Sequence, residues 1–408
     1  MRQSLGAGSA AKLVLILPIA GLLLASCAGM TPGRIPPRNT KPSPSQAACT
    51  NQAVLATWPV DQLAEQVVAV PVEETDVGAV QAEVAQGVGG LLIFGTAGPN
   101  DLGEQLTSLE AGARGGIRPF VMTDEEGGGV QRMANLVGSL PWARQMGSTM
   151  TAAQIEAAAE SIGQAMLGQE VTMDLAPVLD VDGGVGPDAT DPDGARSFSA
   201  NPSVASTDGV AFAEGLVAAG VVPVVKHFPG LGGASANTDD GPATTQPYTD
   251  LKAGGLLPFE AALTAGLPAV MVGNASVPGL TSLPASLSPT VIQGLLEGQL
   301  HFQGLILTDS LSAGAITARG LSVAQATVEA IAAGADMVTF GTGSPALVTT
   351  AVDAAMTEAI DDHQVSRARL INAVGEILVA KRVNLCASAG TRARLGEGSN
   401  LGSVLGQR

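Results

Sequence analysis

The sequence predicts an α/β fold, a single-domain (β/α)8 barrel of the TIM type. Eight short apolar segments recur along the chain, and Ala-rich segments with helical spacing lie between them. Near-continuous apolar strands that alternate with helices are typical of a parallel sheet covered on both faces. Eight such units favour a closed barrel. An open doubly wound sheet is the alternative, but no Gly-x-Gly-x-x-Gly motif follows the first strand, which counts against a dinucleotide-binding fold.

The pattern also sets the boundaries of the elements. The predicted strands span 66–70, 90–94, 119–123, 173–179, 221–225, 269–273, 304–308 and 336–340. The predicted helices span 152–168, 203–219, 251–265, 289–298, 322–333 and 346–360, and a last helix over 366–383 closes the outer ring. Neither an internal repeat nor a second domain is predicted.

The chain is acidic, with a formal net charge of −17 over 408 residues. Binding to nucleic acid requires a basic face, so the charge argues against nucleic acid as a partner. An apolar content of 46% is enough for one large core.

The N-terminal segment has the pattern of an export signal. Arg2 and Lys12 precede an apolar run over 13–24 that is too short to span a membrane. The following Leu24-Ala25-Ser26-Cys27 resembles a bacterial lipobox, in which the cysteine is lipidated; an ordinary secretory signal is the alternative. We therefore expect a signal peptide over 1–26, a Pro-rich tether over 27–50, a barrel over 51–385 and a tail over 386–408. The protein would be anchored by lipid to the outer face of the cell membrane.

Two cysteines remain after Cys27. Cys49 and Cys386 flank almost the whole predicted barrel, and an oxidising compartment favours a disulfide between them. Two free buried thiols are the alternative.

Polar side chains follow five of the predicted strands, at the edge of a barrel where active sites form. They are Asp124, Asp180, Lys226 with His227, Asn274 and Asp309. Asp309 follows a buried strand, and cations around it would depress its pKa and keep it ionised, as a nucleophile requires. The alternative for Asp309 is a helix N-cap. The alternative for His227 is a hydrogen-bonded core residue, and the alternative for Lys226 is a solvated charge on a loop.

No metal or cofactor is expected. The three histidines, His227, His301 and His363, show no pair at ligand spacing, which argues against zinc. Five acidic residues between 180 and 193 suggest calcium, but they lack the spacing of an EF-hand loop. We expect a solvated loop there, formed by Asp180, Asp182, Asp188, Asp191 and Asp193.

Several segments together resemble glycoside hydrolase family 3, in its single-domain β-N-acetylglucosaminidase branch. They cover roughly 55–382 in the order of the family. The segments are Thr123-Asp124-Glu125-Glu126-Gly127-Gly128, Val130-Gln131-Arg132, Leu175-Ala176-Pro177-Val178-Leu179-Asp180-Val181-Asp182, Arg196-Ser197-Phe198, Lys226-His227-Phe228-Pro229-Gly230, Leu283-Pro284-Ala285-Ser286-Leu287-Ser288, Thr308-Asp309-Ser310-Leu311 and Gly334-Ala335-Asp336-Met337. The exported, acylated form is similar to the actinobacterial lipoprotein members.

The resemblance implies a retaining exo-β-N-acetylglucosaminidase with Asp309 as the nucleophile. It also implies a set of residues that bind the N-acetylglucosamine ring: Asp124, Arg132, Arg196, Lys226 and His227. The implied substrates are peptidoglycan fragments with N-acetylglucosamine β-1,4-linked to N-acetylmuramic acid, cleaved in cell-wall turnover. Water or phosphate could take the glycosyl group, and a monomer is favoured.

The chain departs from the family at the proton donor. The branch uses an Asp-x-His pair in the loop after the fifth strand, and those positions here hold Asn237 and Asp239. A carboxyl group of raised pKa can transfer this proton, so Asp239 is the candidate acid/base and Asp240 the second candidate. The alternatives are a loop that serves only as a flexible lid, a sugar-binding lipoprotein without activity, and an aldolase with Lys226 as its Schiff-base lysine.

Overall fold

The computed structural model describes residues 49–387. The predicted signal peptide, the lipidation site at Cys27 and most of the predicted tether and tail lie outside these residues. Within 49–387, no helix is both long enough and apolar enough to cross a membrane.

Eight parallel strands form one sheet, and the predicted barrel is confirmed. Residues 49–387 contain ten strands, of which β4 and β5 lie outside this sheet. They are β1 Val68–Glu73, β2 Gly90–Phe94, β3 Phe120–Thr123, β4 Glu125–Gly127, β5 Val130–Gln131, β6 Met173–Asp174, β7 Val222–Phe228, β8 Ala269–Val272, β9 Leu305–Thr308 and β10 Val338–Thr339. The order in the sheet is β10-β1-β2-β3-β6-β7-β8-β9, and a parallel bridge between Leu307 and Met337 joins its two ends. The short strands β4 and β5 pair antiparallel in a separate hairpin.

Helices alternate with the strands of the barrel along the chain. They are α1 Asn51–Leu55, α2 Val60–Gln66, α3 Gln81–Gln86, α4 Leu102–Glu110, α5 Ala134–Val137, α6 Ala143–Thr149, α7 Ala152–Leu167, α8 Pro202–Ala219, α9 Tyr248–Asp250, α10 Leu257–Thr264, α11 Gly314–Thr317, α12 Val323–Ala333, α13 Pro345–Asp361 and α14 Arg367–Ala380. Short 3-10 turns cover Val77–Val80, Arg114–Gly116, Gly194–Arg196 and Ala285–Leu287, and π-helical segments cover Leu251–Gly255 and Thr290–Gln299.

Local signals explain where the long helices begin and end. Thr151 and Gln154 form a capping box at the start of α7, and Ser322 and Gln325 form another before α12. Helix α8 ends at Gly220, whose φ of 97° is a left-handed conformation that favours glycine. These signals account for the agreement between the predicted and observed bounds of α7, α8 and α12.

Small residues let helices α7 and α8 pack closely. A Cβ atom on Gly215 of α8 would lie 2.2 Å from the main-chain oxygen of Glu156 in α7. A Cβ atom on Gly163 of α7 would lie 2.7 Å from the Cβ of Ala219. The abundance of glycine and alanine therefore has a direct packing role on this side of the barrel.

Two strand predictions need correction, and one hairpin was missed. The segment 173–179 forms a regular ladder only at Met173–Asp174. Pro177 has no N–H to donate, and beyond it the segment makes one isolated parallel bridge, between Val178 and Lys226. The predicted strand over 221–225 continues to Phe228, so Lys226 and His227 lie within β7 rather than after it. The β4–β5 hairpin was not predicted, because its segments are two or three residues long and rich in glutamate and glycine.

The two ends of the described chain lie together. Cys49 and Cys386 form a disulfide with an S–S distance of 1.98 Å and a Cα–Cα distance of 5.8 Å. Beside it, the Asn51 side chain donates to the Val383 carbonyl at 2.8 Å and accepts from the Leu385 N–H at 2.8 Å. The covalent link and these hydrogen bonds join the start of α1 to the segment that follows α14.

Candidate active site

The barrel has a polar cavity of about 640 Å³ at the carboxyl ends of its strands. The cavity is lined by Asp124, Lys226 and Asp309, which belong to three different barrel strands or directly follow them. A second cavity of about 630 Å³ lies at the amino ends, where Val222, Pro268 and Leu305 contribute to a mainly apolar lining. Barrel enzymes build their sites at the carboxyl ends, so the polar cavity is the candidate active site.

An ion-pair network forms one wall of the cavity. Lys226 Nζ lies 2.6 Å from Asp124 Oδ1 and 2.6 Å from Glu126 Oε1. Arg196 binds Glu126 through two nitrogens, each at 2.8 Å, and Arg132 lies 3.7 Å from Asp124. The resemblance implied five sugar-binding residues. Four of them lie in this network: Asp124, Arg132, Arg196 and Lys226.

Glu126 is the centre of this network, although no role was predicted for it from the sequence. Burial alone would raise its pKa, but Arg196 and Lys226 together hold the pKa well below its usual range. Burial lowers the pKa of Lys226, whereas the carboxylates of Asp124 and Glu126 raise it. The net effect is a raised pKa. Lys226 is therefore a charged, paired residue, not the solvated loop charge of the alternative interpretation.

The period of a β-strand is the signal that would have identified Glu126. Successive side chains of an extended segment point to opposite sides, so Asp124 and Glu126 share a side. Glu125 points the other way and holds the hairpin, because its carboxylate accepts from Gln131 at 2.9 Å and from the Met133 N–H at 2.7 Å.

His227 is held in place by Asp180. The buried carboxylate accepts from the N–H of His227 at 3.0 Å and from the N–H of Leu231 at 2.6 Å, and His227 Nδ1 lies 2.7 Å from Asp180 Oδ2. Burial and the nearby Arg196 lower the pKa of His227 to about 4. The imidazole is therefore neutral near pH 7, and Asp180 is a support for it rather than part of the cavity lining.

Asp309 lines the cavity. Its N–H donates to the Val272 carbonyl at 2.9 Å, and its Oδ1 accepts from the Ser310 N–H at 2.7 Å. The next helix, α11, has Ala313 at its N-cap position, so Asp309 does not cap it. The N-cap interpretation is therefore wrong.

The predicted direction of the Asp309 pKa shift is also wrong. Burial raises the pKa of Asp309, and the opposing effects of His227 and Lys226 do not reverse the shift. The cations expected to depress the pKa are paired elsewhere, since Lys226 binds Asp124 and Glu126 directly.

Asn274 supports the segment beside Asp309. Its side-chain amide donates to the Ser310 carbonyl at 2.8 Å, and its oxygen accepts from the Ser286 hydroxyl at 2.6 Å. Asn274 is thus a rim residue that positions the backbone next to the predicted nucleophile.

The loop after β7 brings Asp239 into the cavity lining, which does not include Asp240. The N–H groups of Gly314 and Ala315 donate to the carbonyls of Asp239 and Thr238, each at 2.9 Å. Asp239 is exposed to solvent as a whole, but its carboxyl group is partly buried. This burial and the nearby Asp240 raise the pKa of Asp239, and Arg196 opposes the shift. The geometry therefore favours Asp239 over Asp240 as the proton-transfer candidate.

The acidic segment between 180 and 193 is not the solvated loop that was predicted. Asp180, Asp182 and Asp193 are buried, and Asp180 and Asp182 accept from the N–H groups of Leu231 and Gly233 after β7. Of the five aspartates only Asp188 is exposed, and its carboxylate accepts from the Thr190 N–H at 2.7 Å.

The carboxyl ends of the barrel strands carry paired carboxylates and cations. Such a site suits an enzyme that acts on a neutral, hydroxyl-rich substrate. Carboxylates accept from hydroxyl groups and the cations donate to hydroxyl oxygens. Two aspartates of raised pKa in one cavity, Asp309 and Asp239, match the carboxyl pair of a glycoside hydrolase.

The chain belongs to glycosyl hydrolase family 3. Residues 60–380 match the family described as "Glycosyl hydrolase family 3 N terminal domain". The chain is 37% identical over 288 residues to the Beta-hexosaminidase LpqI of Mycobacterium tuberculosis, covering 68% of this chain and 72% of that protein. The predicted family and enzyme class are therefore confirmed.

Solved structures agree with this assignment. A family 3 glycosyl hydrolase from Mycobacterium smegmatis is 36% identical with a TM-score of 0.72, over 80% of this chain and 98% of that chain. A family 3 β-N-acetylglucosaminidase from Paenibacillus sp. is 26% identical with a TM-score of 0.74, over 86% of this chain and 68% of that chain. Both likenesses extend over most of the barrel.

Proposed function

We propose that this protein is an exported, lipid-anchored exo-β-N-acetylglucosaminidase that removes N-acetylglucosamine from peptidoglycan fragments in cell-wall turnover. Membership of family 3 and the relatives named β-hexosaminidase support a glycoside hydrolase that acts on N-acetylglucosamine. The observation that carries the proposal is that Asp309 and Asp239 line one cavity with the sugar-binding candidates Lys226 and Arg196.

The proposed reaction has two steps with net retention. Asp309 attacks the anomeric carbon and forms a glycosyl ester, while the departing oxygen takes the proton of Asp239. Water then attacks the same carbon, gives its proton to Asp239 and releases Asp309. The Ser310 N–H donates to Asp309 Oδ1 and so helps to orient the carboxylate for the attack.

The charged wall supports binding of a neutral sugar. Asp124 is 15% exposed at its side chain and is held by Lys226, so its carboxylate can accept from sugar hydroxyls. Arg132 and His227 also line the cavity, and neutral His227 offers one ring nitrogen as an acceptor. None of these residues needs a metal ion or cofactor for this role.

The rival function is a sugar-binding lipoprotein without turnover. The observation in its favour is the loop after β7, which has Asn237 and Asp239 in place of the family's Asp-x-His pair. Incubation with a chromogenic β-N-acetylglucosaminide separates the two functions. Saturable binding without release of the chromophore would support the rival.

Trapping with a fluorinated N-acetylglucosamine donor tests the enzyme and its nucleophile together. We expect the peptide that contains Asp309 to gain the mass of one glycosyl group. Asp309→Asn should lose the label and the turnover and keep the circular-dichroism spectrum of the native protein, whereas Asp240→Asn should keep the label. Labelling of another residue in an active preparation would contradict the assignment. Formation of a sugar 1-phosphate in phosphate buffer would identify phosphate as the acceptor.

Export and anchoring are supported by the Cys49–Cys386 disulfide, since disulfides persist in oxidising compartments. The lipidation site, Cys27, is outside the described residues. A Cys27→Ala variant expressed from its own signal should move from the membrane fraction to the soluble exported fraction. Unchanged partitioning with membranes would rule out an anchor at Cys27.

A further inference from the structure

Asp193 is buried without a hydrogen-bond partner. Its exposure is 0%, and neither carboxylate oxygen has a partner among residues 49–387. The nearest guanidinium nitrogen, Arg196 Nη1, lies 3.8 Å away and donates to the Pro192 carbonyl at 3.1 Å. The other two nitrogens of Arg196 bind Glu126. A buried carboxylate in this state is costly, and an ion is one of the few partners that remove the cost.

Two further ligand groups face Asp193. One oxygen of Asp180, one of Asp193 and Nδ1 of His227 all lie within 4.8 Å of one another. His227 Nδ1 is 2.7 Å from Asp180 Oδ2 and 4.0 Å from Asp193 Oδ1. Asp180 and Asp193 are the two ends of the acidic segment, and His227 comes from β7, so no local ligand spacing in the sequence identifies the cluster.

We propose that Asp180, Asp193 and His227 bind one divalent transition-metal ion, with zinc as the best match. Two carboxylates and one imidazole are a donor set that zinc accepts, whereas calcium prefers oxygen ligands alone. Two carboxylates also balance the charge of the ion. The oxygens of Asp180 accept backbone N–H groups but keep lone pairs for a metal.

The position of Asp193 is fixed by the surrounding loop. Arg144 donates to the carbonyls of Asp182, Gly194 and Ser197 at 2.5, 3.0 and 3.1 Å. These bonds hold the residues on both sides of Asp193 against α6, so its carboxylate needs little ordering on binding. The neighbours Pro192 and Arg196 and the ligand His227 line the polar cavity, which gives the ion a route from solvent.

Metal binding would change the face of His227 that meets the sugar. When Nδ1 becomes a ligand, the single imidazole proton moves to Nε2, and the acceptor nitrogen becomes a donor. We therefore expect zinc to inhibit hydrolysis. This effect on activity depends on the proposed function, whereas the metal site itself does not.

The test measures zinc binding to the full-length protein without sugar. Any affinity tag is removed, the protein is treated with EDTA and exchanged into clean buffer, and zinc is titrated against a chromophoric chelator. We expect one zinc ion per chain and a melting temperature that rises with zinc concentration by mass action. Asp193→Asn should weaken binding by more than the ~10–100-fold typical for loss of an outer-shell partner.

Asp188→Asn is the matched control, because Asp188 belongs to the same acidic loop but is exposed. It should bind zinc as the unmodified protein does. Protein labelled with ¹⁵N-histidine gives a second measurement that needs no variant, since the chain has only three histidines. Zinc should shift the His227 ring nitrogens, assigned with a His227→Gln sample.

Three results would overturn the proposal: no stoichiometric zinc binding by the unmodified protein, equal affinity in folded Asp193→Asn, or shifts confined to His301 and His363. A protein that binds zinc through Asp193 but cleaves no glycoside would refute the proposed function and leave the metal site intact. An active enzyme that zinc neither binds nor inhibits would refute the metal site and leave the proposed function intact.

Discussion

Replacing Asp239 by alanine tests the proton-transfer step most directly. Asp239 lines the cavity, and burial raises its pKa, so the carboxyl group can hold a proton at a higher pH than an ordinary aspartate. General acid–base catalysis contributes about 10²–10⁴-fold, or roughly 3–5 kcal/mol of activation free energy. Because Asp239 is exposed and water can replace part of its role, we expect a loss near the lower end of this range.

The leaving group and pH should reveal which step is affected. A good leaving group needs no acid in the first step, so Asp239→Ala should then accumulate glycosyl-enzyme, and azide should release it as the glycosyl azide. In the unmodified enzyme, activity should fall as pH rises through the raised pKa of Asp239, because the acid form is lost. The variant should lack this alkaline limb.

Asp240→Ala is the matched control, because Asp240 is adjacent in the chain and absent from the cavity lining. Steady-state rates of both variants, with the aryl glycoside and with the natural disaccharide, give the comparison. A full rate in Asp239→Ala together with a slow Asp240→Ala would refute the assignment. So would an alkaline limb that survives the loss of Asp239.

The remaining predictions concern stability. Glu126→Gln removes one partner from a buried ion network, which typically costs about 3–5 kcal/mol; urea unfolding should show this, and a loss below about 1 kcal/mol would contradict it. Gly215→Ala should lower the melting temperature, since the added Cβ would lie 2.2 Å from a main-chain oxygen, whereas Gly78→Ala meets nothing within 4 Å. Burial and Asp353 raise the pKa of Glu65 to about 8, above its value of 4.5 in an unfolded chain. The folded state therefore binds this proton more tightly, and stability should fall as pH rises from about 4.5 to 8. Glu65→Gln should flatten that part of the pH profile, and an unchanged profile would exclude the effect.

The sequence was sufficient for the barrel because its strands are apolar on both faces. Strand β2 occupies the predicted span 90–94, and all eight predicted strands overlap observed ones. The same rule could not find the β4–β5 hairpin. That hairpin is stabilised by the Glu125 carboxylate and its partners Gln131 and Met133, not by an apolar pattern.

The site was predicted less completely, because a sequence does not state which charges pair. Asp309 was expected to be surrounded by cations, and the structure gives those cations to other carboxylates. Asp124 and Glu126 both bind Lys226, and Arg196 binds Glu126 at two points. Asp309 is left with burial as the main effect on its pKa, which is therefore raised.

The raised pKa has a consequence for the reaction. In the proposed reaction Asp309 must be ionised when the sugar arrives. Burial and Asp239 raise the pKa of Asp309, and His227 and Lys226 lower it. The proposed first step needs Asp309 ionised and Asp239 protonated, and a protonated Asp239 removes the negative charge that opposes ionisation of Asp309. The cations of the wall then act indirectly. They pair with Asp124 and Glu126 and so keep those carboxylates from adding further negative charge beside Asp309. Asp309 can therefore still ionise within the cavity.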